Sequence, residues 1–202
     1  MLPNPVSYLI YHGEELALPA GKAYAYYMAG NGIWKLAQNQ HVLALVQLAR
    51  CRVAGLPDLE QRIELAAGRI DGALLTAILR DARHEAWAKP KEAMYHLRFE
   101  GAQFSVTKPR QSGGAGHLSY EGGDDAAVIC DLHSHHEMSA FYSSTDNRDE
   151  QGLRFYGVIG RIFTRPEIRL RLGVHGFHVA VPVTLLFTEC TGLRDLKGES
   201  WR

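Results

Sequence analysis

Cysteine is scarce in this chain of 202 residues, which holds only Cys51, Cys130 and Cys190, widely spaced and odd in number. No Cys-x-x-Cys pair occurs, which argues against a disulfide framework and for a reducing, cytoplasmic setting. Cys130 sits inside an apolar run, where a small buried thiol is the ordinary reading ahead of a nucleophile. No stretch approaches the ~18 apolar residues of a membrane span. The opening Met-Leu-Pro-Asn-Pro lacks the basic and apolar regions of a secretory signal. Net charge is missing as well, since 22 basic and 22 acidic residues give +0. The Lys and Arg residues form no stripe, and no aromatic platform is interleaved with them, so no nucleic-acid partner is expected.

What is present suits one globular domain, or one domain with a sizeable extension: 46% of residues are hydrophobic and 22% charged. Residues 1–60 read as a β-rich extension. Short strand-like runs at Val6 to Tyr11, Lys22 to Met28, Gly32 to Leu36 and Val42 to Val53 are parted by turn signals at Gly13, Gly21 and Gly30-Asn-Gly32. This predicts a small antiparallel sheet ending near Gly55-Leu-Pro57. A second domain is expected over residues 61–190. In it, Arg62 to Ala66 can form a strand, and Asp71 can cap a helix running to about Lys89. Leu74, Leu75, Ile78, Leu79, Ala82 and Ala86 supply the apolar face of that helix, and Pro90 ends it.

Glu92 to Phe99 and Ala102 to Thr107 read as a hairpin around Glu100-Gly101, followed by a loop without periodicity from Pro109 to Gly116. The apolar run Ala126 to Cys130, bounded upstream by Gly122-Gly123, predicts a buried strand. Asn147 to Leu153 reads as a short helix. Strands are expected at Phe155 to Phe163, Glu167 to Val174 and Gly176 to Val183. Residues 191–202 form a polar tail, expected to be loosely held.

The chemistry concentrates between Asp131 and Asp146. His133 and His135 lie two apart at the end of the expected strand, so both imidazoles can face one point. Ser143 and Asp146 follow three apart. Two imidazoles and a carboxylate would leave one coordination position open, as in a catalytic zinc site rather than a closed structural one. Zinc lowers the pKa of water to roughly 7, and amide hydrolysis then needs a base to carry the proton. Glu85, Glu92, Glu100 and Glu137 are the candidates for that base.

The pattern His-x-His, seven residues, then Ser-x-x-Asp resembles the JAMM (MPN+, JAB domain) metalloproteases, which carry a glutamate, then His-x-His-Pro, then Ser-x-x-Asp. The family's glutamate opens a strand after a helix, often as Pro-x-Glu, and Pro90-Lys-Glu92 resembles that context. The resemblance implies an α/β (α+β) fold, with a curved mixed sheet flanked by helices. It implies Zn2+ held by His133, His135 and Asp146, with Glu92 as base and Ser143 as oxyanion partner. His136 stands where the family has proline, and Met94-Tyr-His96 replaces a small or glycine-containing segment. The first could alter the loop that leaves the site, since proline would have fixed φ there, and could bring a third imidazole near the metal; neither departure removes a ligand.

Over its whole length the chain is further similar to a bacterial group of the family, protein A of the PRTRC plasmid cassettes. That likeness implies a ubiquitin-like protein as substrate and a ubiquitin-activating-type enzyme as a possible partner. Ordinary readings stand beside each residue. The histidines can be hydrogen-bonded residues at a strand end, Ser143 and Asp146 can cap the next helix, and Glu92 can be a solvated charge. Tyr24, Tyr26 and Tyr27 can line a binding surface or simply pack, and His175 and His178 flank a turn. As a whole, the chain can be a metal-free binding scaffold instead of an enzyme, or hold a DNA-associated role.

Overall fold

A computed structural model describes residues 6–88, 91–114, 117–120 and 125–196. Pro90, Gly122-Gly123 and the last six residues of the expected tail lie outside these. The chain divides into two compact units. The first holds residues up to Ala66 with Gln151–Leu153 and Val174–Val179, and the second holds the remainder.

In the first unit, β1 (Val6–Ile10), β2 (Tyr24–Ala29), β3 (Gly32–Gln38), β4 (Val42–Arg50) and β5 (Arg62–Leu65) form one sheet in sequence order. The sheet is mixed rather than antiparallel, because β1 runs parallel to β2. The long connection from Tyr11 to Ala23 lets the chain return to its starting end, which a hairpin cannot do. Arg62–Leu65 pairs with β4, so the strand read at 62–66 completes this sheet.

Alternation along β2 sends Ala25, Tyr27 and Ala29 to one face, where they pack with Trp34, Leu36, Leu45 and Leu59. Tyr24 and Tyr26 lie half-buried on the other face, edge to face at 5.4 Å. Asn31 ties the core to the turn. Its Oδ1 accepts from Trp34 Nε1 at 3.0 Å and from Leu59 N at 3.1 Å, while its amide donates to Leu59 O at 2.7 Å.

The second unit opens with α1 (Gly72–Ala86). The Asp71 side chain accepts from Ala73 N, and Leu75, Ile78, Leu79, Ala82 and Ala86 are buried at helical spacing, with Leu74 at the margin. β6 (Ala93–Glu100) and β7 (Gln103–Thr107) form the expected hairpin, closed by Gly101 and Ala102 at φ 56° and 66°. A two-residue hairpin turn needs this left-handed backbone.

The expected loop at 109–116 proves instead to hold β8 (Gln111–Gly114), paired with β9 (His117–Tyr120). The apolar periodicity that marks a strand is missing there because the pairing is carried by backbone. The side-chain amide of Gln111 ties β8 to β6, accepting from Met94 N at 2.7 Å and donating to Met94 O at 3.2 Å.

β10 (Val128–Ser134) is buried throughout, as the apolar run predicts. α2 (Ser144–Asp149) starts three residues before the expected helix, because Ser143 caps it, and Leu153 already begins a strand. That strand, β11 (Leu153–Gly160), stops at Gly160 rather than Phe163, and Arg161 turns the chain at φ 50°. β12 (Glu167–Val174) is as expected. β13 (His178–Val181) gives way after Pro182 to the short α3 (Val183–Leu186).

β14 (Arg194–Asp195) pairs with β12, and Asp195 Oδ2 accepts from Val183 N at 2.9 Å, so the described part of the tail is held. The second sheet runs β13-β12-β11-β10-β6-β7, with β14 beside β12. β10 is central, parallel to β11 and antiparallel to β6.

Candidate metal centre

The site grows from the end of β10. His133 is its penultimate residue, and His135 lies just beyond, held by its own N–H donating to Ile159 O at 2.7 Å. The two Nε2 atoms come within 3.2 Å of each other. His135 Nδ1 lies 3.0 Å from Ser139 O. A carbonyl only accepts, so that nitrogen carries the proton and the neutral ring keeps its lone pair on Nε2. Burial pushes both imidazoles below their ordinary range, His133 strongly, so both are held neutral.

The loop that orients His135 packs against Gly160. A Cβ there would stand 2.2 Å from Ala140 N and 2.4 Å from Ser139 C, so only glycine admits the chain. The loop is pinned by Arg161 N donating to Met138 O, Ile162 N to His136 O, and Ala140 N to Glu167 Oε1 at 3.0 Å. Phe141 closes on the His135 ring at 4.7 Å between centroids.

Asp146 enters from α2. Ser143 Oγ accepts from Asp146 N at 3.1 Å, and Ser143 N donates to Asp146 Oδ2 at 2.5 Å, forming a capping box. Capping and facing the site are thus combined in one segment. Glu92, immediately before β6, is buried, and its Oε1 lies 3.9 Å from His135 Nε2. Burial, with a smaller contribution from Asp146, pushes its carboxyl up to about 7.

Glu92, His133, His135, Ser143 and Asp146 all line one cavity of about 290 Å³. The other glutamates lie elsewhere. Glu85 is bound to Lys108 and Lys91, and those hydrogen bonds hold its carboxyl down to about 2. Glu100 pairs with Arg98, and Glu137 is exposed. His136 is half-buried and does not line the cavity.

One acidic residue escaped the sequence reading. Glu150, the C-cap of α2, offers an oxygen that lies within 4.8 Å of the ligand atoms of both His133 and Asp146. Its spacing was the available signal: it stands four residues after Asp146, on the same helical side. Burial pushes its carboxyl up to about 8, against the pull of Arg171, whose Nη2 donates to Oε2 at 2.5 Å.

Neutral imidazole nitrogens and carboxylate oxygens converging on one cavity suit a divalent cation such as zinc. Such a centre, set at the end of a central strand in a mixed sheet, defines an α+β protein with a candidate metal site. The Prok-JAB family, prokaryotic homologs of the JAB domain, matches residues 65–173, more than half of the chain. The chain belongs to this family, which commonly includes JAMM metallohydrolases. The match spans every cavity residue named above and begins at the last residue of the first sheet. Among curated proteins none matches the chain. No helix among the described residues is long and apolar enough to cross a membrane.

Proposed function

We propose that this chain is a zinc-dependent peptidase of the JAMM type that hydrolyses a peptide or isopeptide bond. The observation that carries the reading is the convergence of His133 and His135, with Nε2 atoms 3.2 Å apart, on a cavity that Glu92 and Asp146 also line. In this reading His133, His135 and Asp146 hold the ion, and Glu150, within 4.8 Å of the ligand atoms of His133 and Asp146, stands close enough to add a further oxygen. Zinc, when bound, supplies Lewis acidity and acidifies water so that hydroxide is accessible near neutral pH.

The side chains do the rest. Glu92, with a carboxyl poised at about 7, takes a proton from water and returns it to the leaving amine. Ser143 Oγ accepts from Asp146 N, which leaves its own hydroxyl hydrogen to donate to the substrate carbonyl oxygen. The low dielectric around the buried glutamate supports a proton carrier that works in both directions.

The substrate proposed is the C-terminal tail of a ubiquitin-like protein in the bacterial cytoplasm, of the kind encoded in PRTRC cassettes beside a ubiquitin-activating-type enzyme. Cleavage of a fusion to that protein is the test. The purified chain should carry zinc near one per molecule, lose it in His135→Ala, and cut the fusion only when loaded. Absence of zinc at neutral pH would sink the enzyme and leave the binding scaffold.

A further inference from the structure

The helix that bears Asp146 has no hydrophobic anchor. α2 spans six residues, and none of them is buried. A helix this short is not stable by itself, because nucleation costs more than so few hydrogen bonds return. Its placement must come from polar contacts, and these fall into two groups. On the leading side, the capping box joins Ser143 to Asp146.

On the trailing side stands Arg171, a residue of β12 only 6% exposed. Its Nη1 donates to Asn147 Oδ1 at 2.6 Å, and its Nε and Nη2 donate to Glu150 Oε2 at 2.8 and 2.5 Å. The guanidinium lies 3.7 Å from the Tyr142 ring centroid, just ahead of the helix. Tyr142 is itself fixed, its hydroxyl donating to Tyr156 O at 2.8 Å and lying 3.2 Å from Arg169 O. One planar cation therefore touches the segment before α2, its middle and its end.

We infer that Arg171 is a positioning residue of the metal centre, clamping α2 so that Asp146 and Glu150 face His133. This rests on the metal-binding reading proposed above. The fork geometry is what matters. A lysine keeps the charge but is a point donor, and cannot span Asn147, Glu150 and the Tyr142 face together. Removing the guanidinium altogether would leave the largely buried Glu150 without these hydrogen-bond donors, a cost that falls on folding rather than on the metal.

The experiment compares zinc affinity of the wild-type chain and Arg171→Lys by competition with a chromophoric chelator, alongside the visible spectrum of the cobalt-loaded forms. Outer partners of metal ligands typically carry 10- to 100-fold in affinity, and a loss in that range is expected for Arg171→Lys. The cobalt spectrum should change too, with the circular dichroism of the metal-free protein unchanged. A purely structural role would lower the melting temperature and leave affinity and spectrum alone.

Equal affinity and spectrum in Arg171→Lys would overturn the inference while leaving the metal site standing. A wild-type chain that binds no zinc would overturn both. Should Arg171→Lys fail to fold, the exposed Asn147→Ala removes one contact of the clamp without touching a candidate ligand. It must weaken zinc binding, by a smaller factor than Arg171→Lys, and unchanged binding would overturn the inference.

Discussion

The two sheets of this chain bury different kinds of side chain. In the first unit the buried polar residues among those described are Lys35 and His41, set in a core of alanine, leucine, valine, tyrosine and tryptophan. In the second they are Glu92, His96, Asp131, His133, Ser134, His135, Glu167 and Arg171. Lys35 shows what a structural buried charge looks like. Its ammonium donates to Val174 O at 2.9 Å and His175 O at 2.8 Å and lies 4.2 Å from the Tyr24 ring, so its needs are met locally.

In the second unit Glu92, Asp131, His133 and His135 line one cavity instead. Burying ionisable groups costs stability unless they are paired, and the second sheet concentrates four of its buried polar groups there. The contrast teaches that the first sheet meets its buried charge with local partners, whereas the second gathers groups that could hold a metal ion at one cavity.

The largest expected effect breaks the comparison on the chemical side. Glu92→Gln should keep zinc and lower the cleavage rate by about 10²–10⁴, the usual range for a general acid–base group. Full activity in single-turnover assays would show that the proton carrier lies elsewhere. On the packing side, Trp34→Ala should destabilise the chain by about 3–5 kcal/mol in urea melts, through a cavity in the first core. Its folded fraction should bind zinc as before, and a lost metal site there would erase the distinction between the sheets.

A third test uses pH. Glu92 and Glu150 have carboxyls pushed up to about 7 and about 8, both mainly by burial, so the fold favours their protonated forms. Stability from them is full below the ordinary carboxylate range and is lost as pH rises through 7 to 8. His133 is pushed down from 6.5 by burial, so its contribution is full above 6.5 and is lost as pH falls below it. Between pH 6.5 and 8 only the carboxyls act. The chelator-treated protein should therefore melt at a lower temperature at pH 8 than at 6.5, and Glu92→Gln should flatten that fall. A flat wild-type profile would show that the site is more solvated than its burial indicates. The smallest effect belongs to the exposed Arg52–Asp58 pair, 2.8 Å apart. Arg52→Ala should change stability by about 0–1 kcal/mol in the same melts and leave zinc binding alone.

Much of this was legible in the chain, for particular reasons. α1 could be read because Asp71 and an apolar stripe at helical spacing are local signals. β10 could be read because an unbroken apolar run marks a fully buried strand. The start of α2 was misplaced, although Ser143 and Asp146 were recognised as good caps, because the polar stretch after them carries no periodicity. The β8–β9 pairing leaves no trace in side-chain pattern, because its glycines pair through backbone. The parallel entry of β1 was missed because strand direction depends on where a long connection leads.

The site divides in the same way. Residue types and spacings along the chain already carried His133 and His135 side by side, with Ser143 three residues before Asp146, since two-residue and one-turn periodicities are local geometry. What no spacing could carry was contact across many residues. Glu92 comes within 3.9 Å of His135 because β6 pairs antiparallel with β10. Glu150 shares a point with His133 because Arg171, on another strand, holds it there. The neutrality of the imidazoles and the poised carboxyl of Glu92 arise only from burial, which is a property of the folded sheet and not of any residue in it.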